Sequence, residues 1–452
     1  MIERQLMNAD NFDSGSRIWP VWLFLLVAIY PVPHTVALRN LLLLIGLLGL
    51  AWHWQLTLHA LSTLWRRLTW LAASAWLLVA LTTWIVIHAL LIAPLPAMAL
   101  DRARADWLMP LLLLATGATV AIRSRNGDAL RGLVIALALH IVLVAIFQCW
   151  QWLTLGHWSF GIVPFAERDY QSTLNGFLIG LLLADRLSSL IVGRAPLNLP
   201  PRAAWILLIT ALGADVLLSA RNGTLVSIVL LIVAVAILLA DSRCRKRWGL
   251  RIALAVGFAA LLGGMSVRND VRWNGFSESI VIGIESNSPF WMTGDPSQLP
   301  STPSGNPLEQ SAYARAAWAR QAVEAIVRTP LGIGYGHDAF GRAIAEKYGH
   351  KGMGSSHSGW LDIALGIGIP GLALLLALSV ATVVAGWRRF RHFGDGYSLL
   401  LALTVSGYFL RCLLDGHFSG WRLALFAMVV GLLIGTAAKE QGDTEFRTNG
   451  GG

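Results

Sequence analysis

The chain has little charge and little cysteine for its length. Of its 452 residues only 13% are charged, while 56% are hydrophobic, and an average soluble domain has about 25% charged residues. The three cysteines, Cys149, Cys244 and Cys412, lie far apart. An odd number without short spacings argues against a disulfide framework or a zinc knuckle. The composition therefore argues against a typical soluble domain.

Clustered carboxylates and nucleotide-binding loops are also missing. The sequence contains no DxD pair, no HExxH helix and no Walker loop. A Mg²⁺-assisted transferase needs a cluster of oxygen ligands, and none is evident. We therefore expect no metal and no cofactor. If the chain uses a phosphate-linked donor, arginine has to replace the metal, because its planar guanidinium binds phosphate oxygens in pairs.

Long apolar runs are what the sequence has instead. A helix needs about 20 residues to cross about 30 Å of hydrocarbon, and these segments are apolar on all sides rather than amphipathic. The sequence predicts an all-α polytopic membrane protein with about twelve transmembrane helices. The predicted spans are 18–32, 36–53, 68–92, 107–122, 131–154, 172–192, 203–219, 223–240, 250–267, 358–386, 397–413 and 418–438.

Basic residues indicate the orientation. The formal net charge of +10 would suggest nucleic acid in a soluble protein, but Lys and Arg also collect in the cytoplasmic loops of membrane proteins. If both termini are cytoplasmic, 20 of the 35 basic residues lie on that side. We therefore expect a multi-pass protein with both termini in the cytoplasm, a long loop on the opposite side, and no nucleic-acid partner.

The same pattern predicts four regions. Nine spans occupy 1–267, the long outer loop occupies 268–356, three more spans occupy 357–438, and a cytoplasmic tail follows at 439–452. Within the loop, the composition predicts irregular structure over 268–308, an amphipathic helix over 309–328 and a short helix over 337–348. Gly366, Gly368, Pro370 and Gly371 predict a kink or break in the tenth span, which is tolerated where backbone lines an enclosed cavity.

Arginines at the outer side are the first candidates for chemistry. Arg221 stands in a short turn between two spans, where an arginine is costly unless it faces a cavity or partner; the alternative is that it reaches to the interface. Arg315, Arg320 and Arg328 share the amphipathic helix, but their spacing lets at most two point into one site. For Arg320 and Arg328 a solvated helix face is the better interpretation.

A histidine at the start of the tenth span is the second candidate. His357 follows Gly354-Ser355-Ser356 and can exchange a proton near neutral pH. A lone histidine is usually structural, but here the loop, the serines and the broken helix converge on one imidazole. His337 and His417 are secondary candidates on the same side, and Asp415 could orient the imidazole.

These elements, in this order, resemble the O-antigen ligase and O-antigen polymerase superfamily of bacterial envelope proteins. The matching elements cover about 218–371 and differ from many relatives only beside the histidine, where Ser358 stands in place of asparagine. They are Leu218-Ser219-Ala220-Arg221-Asn222-Gly223, Tyr313-Ala314-Arg315 followed by Trp318, Thr329-Pro330-Leu331-Gly332-Ile333-Gly334-Tyr335-Gly336, Ser356-His357-Ser358 and Gly366-Ile367-Gly368-Ile369-Pro370-Gly371.

The resemblance implies a GT-C-like membrane glycosyltransferase in the bacterial inner membrane with a periplasmic active site. Its donor would be a glycan on undecaprenyl diphosphate, and in the ligases its acceptor is a sugar of lipid A–core; membrane lipids surround both. Carried over by motif, the catalytic histidine is His357 and the essential arginines are Arg221 and Arg315. We expect Asp415, His337 and Arg320 around the substrate, and a metal-independent transfer that inverts the anomeric centre.

Other functions remain open at this stage. A polymerase of the same superfamily shares the chemistry and differs in acceptor; its members often have two large outer loops with arginine, whereas this chain has one. A protein O-glycosyltransferase is a further relative. A transporter or flippase would usually show related halves and a buried acidic coupling site, and neither is evident. A scaffold would not need arginines and a histidine gathered at one rim.

Overall fold

The fold is helical throughout the part of the chain that the structure, a computed structural model, describes. The description covers residues 18–240 and 273–449, with scattered positions between 249 and 268, and leaves out 53, 125–126, 159–160, 164, 274, 306, 337 and 350–353. Over these residues there is no strand, and eight helices are long and apolar enough to cross a membrane. The prediction of an all-α polytopic membrane protein is confirmed.

The first ten helices form the N-terminal part of the bundle. They are α1 (Ile18–Ile29), α2 (Val36–Trp52), α3 (Trp54–Arg67), α4 (Ala72–Leu91), α5 (Pro96–Ala103), α6 (Met109–Arg123), α7 (Asp128–Leu155), α8 (Arg168–Val192), α9 (Pro201–Leu217) and α10 (Arg221–Ala240). After the scattered residues come α11 (Phe276–Glu285), α12 (Phe290–Thr293), α13 (Gln310–Arg328), α14 (Ala339–Tyr348), α15 (Gly359–Phe393), α16 (Gly396–Leu414) and α17 (Gly420–Asn449).

Most predicted spans correspond to observed helices. The eight long spans match eight predicted ones, and α1, α2 and α9 supply shorter helices at three more. The predicted span 250–267 falls where only scattered residues are described, so it stays a prediction. The span predicted to begin at residue 107 begins earlier in the structure. The chain is helical from Pro96 to Arg123, through a π-helical turn at Arg104–Leu108.

The segment between α10 and α15 is more ordered than its composition indicates. Irregular structure over 268–308 is contradicted by α11 and α12. These helices form because apolar residues such as Ile282, Phe290 and Trp291 pack against α13 in a separate hydrophobic cluster. The helix predicted over 309–328 is confirmed as α13, whose N-cap Glu309 accepts a hydrogen bond from the Ala312 amide.

The predicted break in the tenth span is confirmed within α15. Ile367 has φ −121° and ψ 15°, and Gly368 has φ 77° and ψ 174°, a conformation open only to glycine without large strain. Pro370 lacks an amide hydrogen and so cannot continue the hydrogen-bond ladder. The helix therefore divides into a short part before the break and a long part after it.

An extended segment lies along this break and satisfies its backbone groups. Ile333 and Gly334 donate amide hydrogen bonds of 2.8 and 2.9 Å to the carbonyls of Leu365 and Gly366, and the Ile369 amide donates to Pro330 at 2.9 Å. Buried backbone groups need such partners. The Pro-Leu-Gly-Ile-Gly run at 330–334 and the Gly/Pro-rich run at 366–371 are distant in sequence. Their backbones are therefore paired with each other in the fold.

Candidate functional site

The candidate residues meet at one end of the bundle, where α10 and α15 begin, α16 ends and α13 lies across them. We call this the site end. Three separate contacts join the elements: α13 to α10 through Glu309 and Arg221, α10 to the end of α16 through Asn222 and Asp415, and α15 to the same loop through the Gly359 amide. Each can now be traced to its residues.

The turn before α10 is tight for a physical reason. Ser219 has φ 50°, which is unusual for a residue other than glycine. A Cβ added at Gly223 would come too close to the Ser172 hydroxyl and to within 3.4 Å of the Arg411 guanidinium. Glycine therefore lets side chains from α8 and α16 approach the first turn of α10.

Arg221 lies at the first position of α10 and is paired. Its guanidinium donates a 2.9 Å hydrogen bond to Glu309, and the two side chains are only 10% and 7% exposed. The rings of Trp273 and Phe276 lie 5.9 and 5.4 Å from the guanidinium. The arginine is thus held at the site rather than extended to an interface, and its charge is shared with a carboxylate before any substrate binds.

Asp415 is the centre of the polar contacts. Its Oδ1 accepts a 2.7 Å hydrogen bond from the Asn222 side chain and lies 3.9 Å from Arg315 Nη2, while its Oδ2 lies 3.3 Å from Arg411 Nε. Arg411 is 5% exposed and is anchored by two bonds to Ser172. One carboxylate therefore connects α10, α13 and α16.

Arg315 differs from Arg221 in its availability. The Arg315 side chain is 38% exposed, and its contact with Asp415 is a long ion pair. An ion pair of this length and exposure contributes about 1 kcal/mol or less. An incoming anion can therefore engage Arg315 at small cost, whereas it must compete with Glu309 for Arg221.

His357 lies in a strained turn that is fixed by side chains. Its φ is 58°, a left-handed conformation that persists only where the surroundings enforce it. The His357 amide donates to the Ser355 hydroxyl at 3.4 Å, and the Ser356 amide donates to the Asp362 carboxylate at 2.8 Å. The first turn of α15 thus reaches back and sets the conformation of the residue that presents the imidazole.

The imidazole is stacked on an aromatic ring. Its centroid lies 4.9 Å from that of the Trp318 indole, with 19° between the planes. His357 reaches solvent, yet partial loss of hydration lowers its pKa below the usual 6.5. The nearby Arg315 lowers that pKa further, while Asp415 and Asp169 oppose the shift. At neutral pH the ring is therefore uncharged and can accept a proton.

The remaining candidates lie elsewhere or outside the description. His337 is not among the described residues. Arg320 donates to the Ile284 carbonyl at 2.9 Å and lies 3.7 Å from Glu324, so it faces α11 rather than Asp415. His417 is 1% exposed and its Nε2 lies 3.0 Å from the Thr173 hydroxyl. Burial, reinforced by Arg411 and Arg422, holds its pKa well below the usual range, so His417 is a neutral packing residue.

Several residues of the site were not identified from the sequence. Glu309 pairs with Arg221, 88 positions earlier, and Arg411 is anchored to Ser172, 239 positions earlier, so neither contact has a local signal. Trp318 belongs to the matching elements, but its stacking on His357, 39 positions later, does not follow from the sequence. A buried acid in α9 was also not identified from the sequence. Asp215 in α9 is 1% exposed and accepts hydrogen bonds from Asn175 and Ser227, one layer below the site.

Comparison with known proteins gives one family match. Residues 206–376 match the sequence model of the O-antigen ligase family, a segment that contains Arg221, Arg315 and His357 but ends before Asp415. No curated protein matches the chain. Over the described residues, no three His, Cys, Asp or Glu side chains gather in a way that could hold a metal ion.

Proposed function

The chain belongs to the O-antigen ligase superfamily through residues 206–376, and from this we propose that it transfers a glycan from undecaprenyl diphosphate to a sugar hydroxyl of lipid A–core. The observation that carries the proposal is the position of Asp415. Its carboxylate brings Asn222 of the first motif and Arg315 of the second together. The Asp415 carbonyl accepts the Gly359 amide at 3.1 Å, which ties in the His357 segment.

In the proposed step His357 is the general base. A neutral ring nitrogen takes the proton of the acceptor hydroxyl while its oxygen bonds to the anomeric carbon of the donor sugar. The bond from that carbon to the diphosphate oxygen breaks, and undecaprenyl diphosphate leaves with the electron pair. Attack opposite the leaving group inverts the anomeric centre. The lowered pKa of His357 supports this role, because a base must be unprotonated to act.

Arginine stabilises the leaving group in this proposal. Arg315 is exposed and weakly paired, so it is the first contact for the diphosphate. Arg221 completes the site when the anion competes with Glu309 for its guanidinium. Donors aimed at developing charge in a partly desolvated site are a large source of rate enhancement. The guanidinium pair takes the role that a metal ion plays in other transferases, which makes the transfer metal-independent.

The proposed setting is the bacterial inner membrane. The distribution of basic residues supports a cytoplasmic location for both termini, so in this proposal the site end faces the periplasm. There the lipid carrier and lipid A–core share one leaflet, and the helices α11 to α14 cover the site from the aqueous side. The apolar surface of the bundle contacts the surrounding membrane lipids.

Reconstitution tests the proposal. The purified protein in lipid vesicles is given undecaprenyl diphosphate-linked glycan and lipid A–core in the presence of a chelator, and the products are separated by mass. Ligated lipid A–core is the expected product. Longer chains on the lipid carrier, with no product on lipid A–core, would identify a polymerase instead. Proton-coupled uptake without glycosyl transfer would contradict the proposal altogether.

Variants test the assigned roles. A general base contributes about 10²- to 10⁴-fold to the rate, so His357→Ala lowers kcat by that factor in a protein that inserts normally. Arg315→Gln raises the KM for the lipid donor and lowers kcat. Arg320→Gln on the same helix is the matched control, because its guanidinium contacts Ile284 and Glu324 and not the site.

A further inference from the structure

A cavity of about 250 Å³ lies beside the His357 turn, between the loops that precede α15 and α17. It is smaller than the pockets of about 300 to 1,000 Å³ that hold drug-sized ligands, and a single sugar ring suits its size. Arg221, Arg315 and Trp318 do not line it. The lining side chains that argue for a ligand are Tyr335, Ser355, Asp362, Phe418, Ser419 and Arg422.

The cavity contains groups suited to a sugar. Asp362 is 8% exposed, and while its Oδ1 accepts the Ser356 amide, its Oδ2 lies beside Gly416 at the cavity wall. Carboxylate oxygens accept hydrogen bonds from sugar hydroxyls. The Phe418 ring offers an apolar surface, so the cavity combines an acceptor for hydroxyl groups with a face for C–H groups.

Arg422 gives the cavity a positive charge. The rings of Tyr170 and Trp421 each lie 5.5 Å from its guanidinium. Its Nε is buried and, over the described residues, has no hydrogen-bond partner. Because Arg422 also lines the cavity, an anionic oxygen held there would meet a guanidinium, which forms charge-assisted hydrogen bonds with anions.

The cavity and the imidazole share one turn. Ser355 lines the cavity, and its hydroxyl accepts the His357 amide at 3.4 Å. The charge of Arg422 also contributes, after desolvation and Arg315, to lowering the pKa of His357. The cavity wall therefore includes Ser355, two residues before the proposed base, and does not include the arginines assigned to the leaving group.

We propose that this cavity binds one anionic sugar unit of the acceptor, with its hydroxyls on Asp362 and its phosphate or carboxylate group on Arg422. This inference rests on the proposed function, since it assigns the acceptor side of the same reaction. In this assignment the enzyme selects its acceptor by a negative charge, and the charged group lies close to the acceptor hydroxyl that is glycosylated.

Three synthetic disaccharide acceptors, one neutral, one with a phosphate and one with a carboxylate, test the assignment in the reconstituted full-length protein. A hydrogen bond to a charged group is worth enough for about a tenfold preference. We expect the phosphorylated or the carboxylated acceptor to exceed the neutral one in kcat/KM by about that factor, mainly through KM. Arg422→Gln abolishes the preference and Arg422→Lys retains part of it.

Arg39→Gln is the matched control. Arg39 lies at the start of α2 and also stacks on a tyrosine, with its guanidinium 5.3 Å from the Tyr30 ring, but it does not line the cavity. Its loss leaves the preference intact. Equal kcat/KM values for all three acceptors, or a preference that survives Arg422→Gln, would overturn the inference while leaving glycosyl transfer established.

Direct binding separates the two proposals. The phosphorylated disaccharide is titrated into the purified protein without donor, for the unchanged chain and for Arg422→Gln. If the protein transfers no glycan but binds the probe, and Arg422→Gln weakens that binding, the result supports the binding site in the cavity. The same result contradicts the proposed function. Absence of any difference in binding contradicts the cavity. Ser419→Phe, which fills the cavity from another position, weakens binding of the same probe without altering a charge.

Discussion

The indole of Trp318 and the imidazole of His357 lie nearly parallel, with centroids 4.9 Å apart. Trp318 comes from α13 and His357 from the turn before α15. The contact therefore joins α13 to the start of α15 at the proposed base. The Trp318 Nε1 donates a hydrogen bond of 3.2 Å to the Trp291 carbonyl. This bond holds the indole in place, and the indole in turn holds the imidazole.

Trp318→Ala should separate positioning from packing. Loss of the ring frees the imidazole and rehydrates it, so kcat falls by about tenfold or more, as for other misplaced catalytic groups, and the pKa of His357 rises. Trp318→Phe keeps a stacking surface and retains most of the activity. The pH profile of kcat for both variants measures this. An unchanged acid limb in Trp318→Ala would contradict the role of desolvation.

The pH dependence should move in opposite directions in two variants. A general base loses activity as pH falls through its pKa. Arg315 lowers the pKa of His357, so Arg315→Gln moves the acid limb to higher pH. Asp415 raises that pKa, so Asp415→Asn moves the limb to lower pH. The position of the acid limb is measured from the rates of one variant at different pH values, each relative to the maximum rate of that variant. A lower maximum rate therefore does not affect the comparison. A shift in the same direction for both variants would exclude His357 as the titrating group.

Glu309 should restrain Arg221. Glu309→Gln retains an oxygen that can accept the Ala312 amide and cap α13, but removes the charge that pairs with Arg221. The freed arginine should bind the diphosphate more tightly, which lowers the KM for the donor. Glu309→Ala loses the cap as well and costs about 1 kcal/mol of stability. A higher donor KM in Glu309→Gln, with normal thermal stability, would mean that the pair itself is required for binding.

Gly223→Ala should disturb the site by sterics alone. The added methyl group meets the Ser172 hydroxyl, and overpacking of this kind costs about 1 to 3 kcal/mol. Thermal unfolding in detergent and the transfer rate measure the effect. Gly213→Ala is the control, because nothing lies within 4 Å of that position. The double variant with Ser172→Ala relieves the clash, and a melting temperature that does not recover would argue against this explanation.

The fold was largely predictable because its signals are local. Apolar runs of sufficient length predict the spans, and the spacing in 309–328 predicts α13 to within one residue at its start. The helix α11 was missed because Ser, Asn, Pro and Gly dominate the average of 268–308, while the short run Ile280-Val281-Ile282 becomes helical only against α13. Tertiary packing decides whether such a segment becomes helical, and a short window of sequence does not contain the residues against which it packs.

The site was predictable in its residues and not in their relationships. Arg221 stands out because arginine is expensive between two spans, and His357 because polar residues precede a broken helix. That Arg221 is already paired depends on Glu309, 88 positions later, and that Asp415 joins three helices depends on how α16 ends. Which arginine is available to an anion therefore follows from contacts that only the folded chain has.

The extended segment docked along the break in α15 has a mechanical consequence. It is hydrogen-bonded to the backbone of Leu365 and Gly366. These two residues lie in the short part of α15 before the break, and His357 immediately precedes that part. The segment also leads directly from α13 to α14. The helices α13 and α14 and the turn that presents the imidazole are therefore connected through backbone hydrogen bonds to one segment. A displacement of α13 or α14 is therefore transmitted through these backbone bonds to the turn that presents the imidazole, and through Glu309 to Arg221 at the start of α10.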